Sequence, residues 1–225
     1  MNRRQRDPIA RPASCATPNG VRRAPAWAAL LLAAWLAGCA NPLPALQWVR
    51  LPAEPAQPVQ PAQPVAPLAM AAARAATVWQ LMAPVGLPGH LDREPLLLPQ
   101  GRAGLQPLGG ARWAEPLREA VPRLLRLDLA RALATEVWAA PLPPGLRPTH
   151  QLRIDLLAFD ITADGRGVAL QARWSLADAT GATPPRLGDA SFVTTATGSD
   201  ADSLAAAHRQ ALATLAVRVA ASATR

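Results

Sequence analysis

Alternation of hydrophobic and polar side chains predicts an antiparallel β-meander in the C-terminal half of the chain. Residues 150–160 and 166–177 alternate on both sides of Ala163-Asp164-Gly165, where glycine can adopt the positive φ of a hairpin turn. A second turn at 178–181 leads to a third strand at 190–196. Shorter β-favouring runs predict further strands at 77–82, 95–98, 104–108 and 136–140.

Two segments have the spacing of amphipathic helices. Leucine or valine recurs every four residues from Leu117 to Leu133, and arginines fall mostly on the other side. A proline inside a helix costs about 3 kcal/mol, so we expect the regular helix to begin near Glu119, with Pro122 in its first turn. The last helix begins near residues 199–202, whose acids favour the positive end of a helix. Its predicted apolar face contains Leu204, Ala211, Leu212, Leu215 and Val219.

The chain divides into three predicted regions. Residues 1–38 form a lipoprotein signal peptide, for which Val21 is an alternative start; residues 39–73 contain a lipidated cysteine and a proline-rich spacer; and residues 74–225 form the globular domain. About 150 residues suffice for one hydrophobic core. The order of the elements predicts an α+β fold, in which an antiparallel or mixed sheet carries two main helices packed on one face.

The signal peptide is predicted from the order of charge, apolar run and cysteine. Arg22 and Arg23 precede the apolar residues 25–37, which are too few for a membrane span. Leu36-Ala37-Gly38-Cys39 resembles the lipobox of bacterial lipoproteins, where the cysteine becomes the new N-terminus and carries acyl chains such as palmitate. Lipidation of Cys39 is therefore expected. A plain signal peptide with a chance cysteine is the alternative.

Proline dominates the region after the lipobox. Eight prolines in residues 42–67 favour extended polyproline II and a semi-rigid spacer. Within this spacer, residues 46–51 (LQWVRL) form a short β-favouring island that could be a first strand docked on the domain.

The formal net charge of +8 overstates the charge of the mature chain. Six of the 23 basic residues and one of the 15 acids lie in residues 1–38, which leaves +3 after cleavage. This weak and scattered charge gives no basis for a nucleic-acid partner. Cys39 is the single cysteine of the mature chain, so neither a disulfide nor a Cys/His metal cluster is expected.

No catalytic constellation is found in the sequence, and we predict no enzymatic activity, no cofactor and no metal. Ser175, His208 and Asp178 offer the residue types of a catalytic triad but lack the Gly-x-Ser-x-Gly turn that presents a nucleophile. His208 falls on the apolar face of the last helix, where a partly buried structural histidine is expected.

Several segments occur together in an order and spacing typical of one family. They are Val85-Gly86-Leu87-Pro88, Leu91-Asp92-Arg93, residues 112–117 (RWAEPL), Leu152-Arg153-Ile154-Asp155 with Phe159, and residues 170–176 (LQARWSL). In these segments, and from the lipobox to about Ala221, the chain resembles the ABC-type transport auxiliary lipoproteins of the PqiC/YmbA type. Two features depart from that family: Trp48 stands where a Tyr-rich first strand is usual, and Pro122 lies within the first helix.

This resemblance implies an outer-membrane lipoprotein on the periplasmic face, anchored through Cys39. Such proteins act with MCE-domain proteins and an ABC or paraquat-inducible-type inner-membrane transporter in lipid transport between membranes. The chain would be a docking component rather than a motor. Ala40 and Asn41 agree with this location, because inner-membrane retention usually requires aspartate directly after the cysteine. The alternative is an envelope scaffold or outer-membrane assembly lipoprotein unrelated to lipid transport.

The turn before the first helix and the start of that helix are the predicted contact surface for a partner or a second copy. Asp92 and Arg93 are adjacent charges in a turn that presents side chains outward; capping and local pairing are the structural alternative. The predicted surface comprises Leu87, Pro88, Leu91, Asp92, Arg93, Trp113 and Glu115.

A homo-oligomer, in the form of a ring, is also expected. A docking protein that matches the symmetry of a multimeric partner multiplies weak contacts. Trp113 and Trp138 could lie at the subunit contacts or could fill the core of the monomer.

Overall fold

A computed structural model describes residues 45–58 and 77–223. The predicted signal peptide, Cys39 and residues 59–73 of the predicted spacer lie outside the described residues. Those that are described belong to one compact unit, Pro44–Arg225. The β-favouring island therefore belongs to the compact unit, and it forms a strand there, as the sequence suggested.

The described residues contain eight strands, two long helices and a short 3-10 turn at Gly89–Leu91. The strands are β1 (Gln47–Val49), β2 (Trp79–Leu81), β3 (Pro95–Gln100), β4 (Gly104–Trp113), β5 (Val137–Ala139), β6 (His150–Ile161), β7 (Gly167–Asp178) and β8 (Arg186–Thr195). The helices are α1 (Leu117–Leu133) and α2 (Ala201–Ala223).

The strands form two mixed sheets. In the smaller sheet β4 lies between β1, which is parallel to it, and β3, which is antiparallel. The larger sheet has the order β5-β2-β6-β7-β8, in which β2 is parallel to both of its neighbours and β6, β7 and β8 form the antiparallel meander. The fold is thus mixed α/β. A single sheet was the wrong expectation, because β1, β3 and β4 pair with one another instead of extending the meander.

The meander follows the predicted alternation. The β6–β7 turn contains Gly165 at φ +68°, and the Asp164 carboxylate accepts hydrogen bonds from the Thr162 hydroxyl at 2.5 Å and from the Arg166 N–H at 3.0 Å. These bonds hold the pKa of Asp164 below its usual value. The predicted inward positions of β7 are all buried: Val168, Leu170, Ala172, Trp174 and Leu176.

Helix α1 begins at Leu117, two residues before the predicted position. Pro116 directly precedes the helix with φ −56°, a value suited to a helix start, and Pro122 then lies within the helix rather than in its first turn. Pro122 has no N–H to donate to the carbonyl of Arg118, yet the helix continues because its apolar face is buried.

Helix α2 begins where the sequence predicted it. The Asp200 carboxylate accepts hydrogen bonds from the N–H of Ser203 at 3.0 Å and from its hydroxyl at 2.6 Å, as expected of a helix-capping residue. The helix packs against α1, β7 and β8. One apolar core connects both sheets with both helices.

Candidate functional site

The predicted contact residues meet at the junction of the smaller sheet, the 3-10 turn and the start of α1. The chain segment that begins at Gly86 and contains the turn is attached to β6 at its beginning. The Gly86 N–H donates to the Ile154 carbonyl at 3.1 Å, and the Gly86 carbonyl accepts from the Leu156 N–H at 2.8 Å. A Cβ at Gly86 would meet the Asp155 carboxylate, which would have to shift to make room, so this close approach to β6 favours glycine.

Two short hydrogen bonds fix the other side of the junction. The N–H of Trp113 donates to the Glu94 carbonyl at 2.6 Å, and the N–H of Ala114 donates to the Val49 carbonyl at 2.7 Å. The end of β4 is therefore attached both to the turn and to β1. Because Trp48 pairs in register with Arg112 on β4, its ring lies beside the same junction.

Together these elements enclose a cleft of about 400 Å³, which we call the Trp48 cleft. Its two tryptophans differ strongly in exposure, since Trp48 is 54% exposed and Trp113 only 5%. The cleft has an aromatic wall and a charged rim. It is lined by Trp48, Asp92, Arg93, Glu94, Trp113, Ala114, Pro116 and Arg118.

Most charges around the cleft are paired. Arg118, in the first turn of α1, donates to both carboxylate oxygens of Asp92 at 3.0 Å, and Arg112 donates to Glu94 at 3.1 Å. Within the part of the chain that the structure describes, the exposed Arg93 side chain has no hydrogen-bond or ion-pair partner. Among the described charged residues that line the cleft, Arg93 therefore carries the one positive charge that is not compensated by an ion pair.

The structure separates the predicted contact residues into three groups. Asp92, Arg93 and Trp113 line the cleft. Leu91 is buried beneath it at 8% exposure, with Leu87 packed against the core. Pro88 precedes the 3-10 turn, and Glu115 lies outside the cleft, where its carboxylate accepts from Arg123 at 2.6 Å. Trp113 was predicted to be either a subunit contact or a core residue, and in the structure it is part of the core.

Sequence reasoning did not include Trp48, Glu94 or Arg118 in the predicted surface. Asp92 and Arg118 are 26 positions apart, and no periodic pattern connects them. Trp48 was noticed only as a departure from the family pattern. Its position in a β-favouring island was the one signal that could have led to it.

His208, the histidine among the candidate catalytic residues, lies in the core. His208 is 2% exposed, its Nδ1–H donates to the Leu204 carbonyl at 2.8 Å, and its ring packs edge-on against Trp113 and Phe159. Burial lowers the pKa of His208 to about 4, so the imidazole is neutral at pH 7. It is the structural histidine that the sequence predicted, and it is more deeply buried than expected.

Two further features bear on what this part of the molecule can do. In residues 45–58 and 77–223, neither helix combines the length and apolarity required to cross a bilayer. The same residues contain no group of three or more histidine, cysteine, aspartate or glutamate side chains placed to hold a metal ion.

One solved structure shows the fold. A crystal structure of an uncharacterised protein aligns with 79% of this chain and 97% of its own at a TM-score of 0.59 and 15% identity. Protein XCC0632 from Xanthomonas campestris aligns with 64% of this chain and 82% of its own at 0.48 and 18% identity. The PelC dodecamer from Paraburkholderia phytofirmans aligns with 64% and 81% at 0.35 and 11% identity. No curated protein sequence matches the chain.

A comparison of the amino-acid sequence with a family model shows the family. The family model described as the ABC-type transport auxiliary lipoprotein component matches residues 61–220, which is more than half of the chain. The chain therefore belongs to the family of ABC-type transport auxiliary lipoproteins, as its motifs suggested.

Proposed function

We propose that this protein is a docking lipoprotein on the periplasmic face of the outer membrane, where it serves an MCE-type intermembrane lipid-transport system. Membership of a transport auxiliary lipoprotein family is the observation that carries the proposal. Its role is to connect the membrane with an MCE-domain protein and the inner-membrane transporter. It is neither the motor nor an enzyme.

The proposed anchor is the lipid on Cys39. Each buried CH₂ contributes about 0.8 kcal/mol, and stable anchoring takes more than one acyl chain, which a fully acylated cysteine supplies. Ala40 and Asn41 support the outer membrane because aspartate, the usual retention signal, is missing at position 40. Only the short stretch before β1 separates the lipid from the folded domain, and most of the proline-rich region follows β1.

The Trp48 cleft is the proposed contact surface of this docking protein. An exposed aromatic ring supplies apolar contact area, and an unpaired arginine can form charge-assisted hydrogen bonds without first breaking an existing pair. Assembly into a homo-oligomeric ring would present several copies of the chain to one multimeric partner and strengthen weak contacts by avidity.

Membrane fractionation tests the anchor. In the native host, the wild-type protein is expected in the outer-membrane fraction, and the Cys39→Ala variant is expected to be absent from that fraction. Cys15→Ala, which changes the other cysteine of the chain, is the matched control and should behave as wild type. Retention of Cys39→Ala in the outer membrane would overturn lipid anchoring.

Affinity purification of the lipidated protein from solubilised envelopes tests the docking role. Recovery of an MCE-domain protein is the expected result, and recovery of an outer-membrane assembly factor in its place would support the alternative class. Light scattering on the mature chain without its lipid measures the oligomer. A strict monomer at tens of micromolar, still monomeric with the MCE protein added, would contradict the ring.

A further inference from the structure

Exposed apolar side chains lie where the described chain begins. Leu46 and Trp48 are each 54% exposed, whereas Val49 and Leu51 are 6% and 5% exposed. Trp48 lies on the outer side of β1 and Val49 on its core side, and Leu46, which directly precedes the strand, is as exposed as Trp48. The smaller sheet therefore presents an apolar strip on its outer face.

The position of this strip relative to the anchor limits what can cover it. Trp48 lies nine positions after Cys39, and nine fully extended residues span at most about 30 Å. A bilayer that holds the acylated Cys39 is therefore within about 30 Å of Trp48 in any conformation of the intervening chain. The larger proline-rich segment follows β1 and adds nothing to this distance.

The side chains around the strip match the chemistry of a bilayer surface. Tryptophan is enriched at the headgroup level of membranes, where its ring contacts apolar groups and its indole N–H reaches polar ones. Arginine binds phosphate with directed, charge-assisted hydrogen bonds. Trp48 and the unpaired Arg93 line the same cleft of about 400 Å³.

We propose that the Trp48 cleft is a phospholipid-contact surface, on which Trp48 lies at the headgroup level of the bilayer that anchors Cys39 and Arg93 binds a lipid phosphate. This inference rests on the proposed anchoring and names the partner of the same surface. Leu46 is buried against the membrane beside Trp48. The contact orients the domain on the membrane, which a single point of lipid attachment alone cannot do.

Fluorescence quenching in vesicles tests the proposal. The acylated full mature chain is reconstituted into vesicles of phosphatidylethanolamine and phosphatidylglycerol whose acyl chains carry bromine close to the headgroups. Five tryptophans remain after removal of Trp27 and Trp35 with the signal peptide. We expect one quenched tryptophan population, and Trp48→Phe should remove most of it. Trp138→Phe, on β5 of the other sheet, is the matched control and should leave the quenched population unchanged.

Arginine variants test the phosphate contact. Arg93→Gln is expected to weaken the quenching of Trp48 at least twofold in these vesicles. Arg102→Gln, which changes an exposed arginine on the β3–β4 turn, should have no effect. Equal quenching in Arg93→Gln and wild type would overturn the role of Arg93.

The outcomes separate this inference from the proposed function. Failure of the wild-type chain to float with vesicles would show that the lipid anchor itself is wrong. Flotation of wild type with the same quenching in Trp48→Phe would leave the anchor intact and overturn the membrane contact. Protection of Trp48 by an added MCE protein, with no bromine quenching, would also overturn it and identify a protein as the occupant.

Discussion

Two arginine–aspartate pairs use the same chemistry in opposite surroundings. Arg209 of α2 and Asp128 of α1 are 0% and 5% exposed at the side chain, with two N–O distances of 2.7 Å. Arg118 and Asp92, at the rim of the Trp48 cleft, are 60% and 40% exposed, with two distances of 3.0 Å. The first pair has little water to compete with it and the second has much, so similar geometry corresponds to very different energies.

The buried pair also determines where the first strand lies. Arg209 donates from Nε to the Pro52 carbonyl at 3.0 Å and from a terminal nitrogen to the Ala53 carbonyl at 3.1 Å. The guanidinium thus connects both helices to the chain that leaves β1. Each nitrogen of the guanidinium donates to one of these carbonyl or carboxylate oxygens, which explains how a fully buried arginine is tolerated. The Trp48 cleft depends on this connection, because β1 carries Trp48.

Removal of one member of the buried pair should have the largest effect on stability. Asp128→Ala leaves the Arg209 charge buried without its counter-charge, which costs about 3–5 kcal/mol. Urea unfolding of the mature chain carrying Cys39→Ala should show this loss as a lower midpoint. The double variant Asp128→Leu, Arg209→Met removes both charges and should recover part of it. A loss below about 1 kcal/mol in Asp128→Ala would mean that the buried and exposed pairs are energetically alike.

Acid should weaken the buried region before it affects the exposed one. His208 has a pKa of about 4 in the folded protein and 6.5 as its ordinary value, so the unfolded chain binds the extra proton between these values. Stability is therefore complete above pH 6.5 and falls as the pH decreases towards 4, by on the order of 3 kcal/mol. His208→Gln should flatten this part of the profile.

The exposed carboxylates with lowered pKa values should affect stability only at a pH below the range assigned to His208. Hydrogen bonds to their own turns lower the pKa values of Asp164, Asp178 and Asp200 below 3.8. Their contribution is present above pH 3.8 and is lost only below it. A fall in stability between pH 6.5 and 4 that persists in His208→Gln would require another group and would contradict the assignment to His208.

Local signals in the sequence predicted the part of the fold that local interactions determine. The β6–β7 turn and the cap of α2 depend on residues two or three positions apart, such as Asp164 with Thr162 and Asp200 with Ser203. The parallel pairing of β1 with β4 joins residues more than 60 positions apart, and three-residue strands have almost no pattern of their own. Two separate sheets therefore could not be distinguished from one extended sheet.

The same limit applies to the candidate site. Asp92 and Arg93 could be predicted because a turn rich in proline and glycine presents its side chains. The burial of each tryptophan could not be predicted, since only the pairing of β1 with β4 turns Trp48 outward and Trp113 inward. The partner of Asp92 was missed for the same reason, because Arg118 reaches it from the next element.

The smallest effects on stability are expected at the Trp48 cleft, where Asp92 and Arg93 should differ. Asp92→Ala removes an exposed ion pair, so it should lower the free energy of unfolding by about 0.2–1 kcal/mol. Arg93→Ala removes a side chain without a partner among the described residues and should change the free energy by less than about 0.5 kcal/mol. Urea unfolding of both variants, with Arg102→Ala as the exposed control, measures this difference.

A structural arginine and a binding arginine would give different combinations of results. If Arg93 only stabilised its turn, Arg93→Ala would lower the unfolding midpoint at least as much as Asp92→Ala. An unchanged midpoint together with weakened vesicle contact is the expected result, because a side chain without an internal partner contributes to binding without contributing to the fold. The Trp48 cleft would then differ from the buried Arg209–Asp128 pair in role as well as in energy. The buried pair holds β1 in place, and the unpaired charge of Arg93 is available to a ligand.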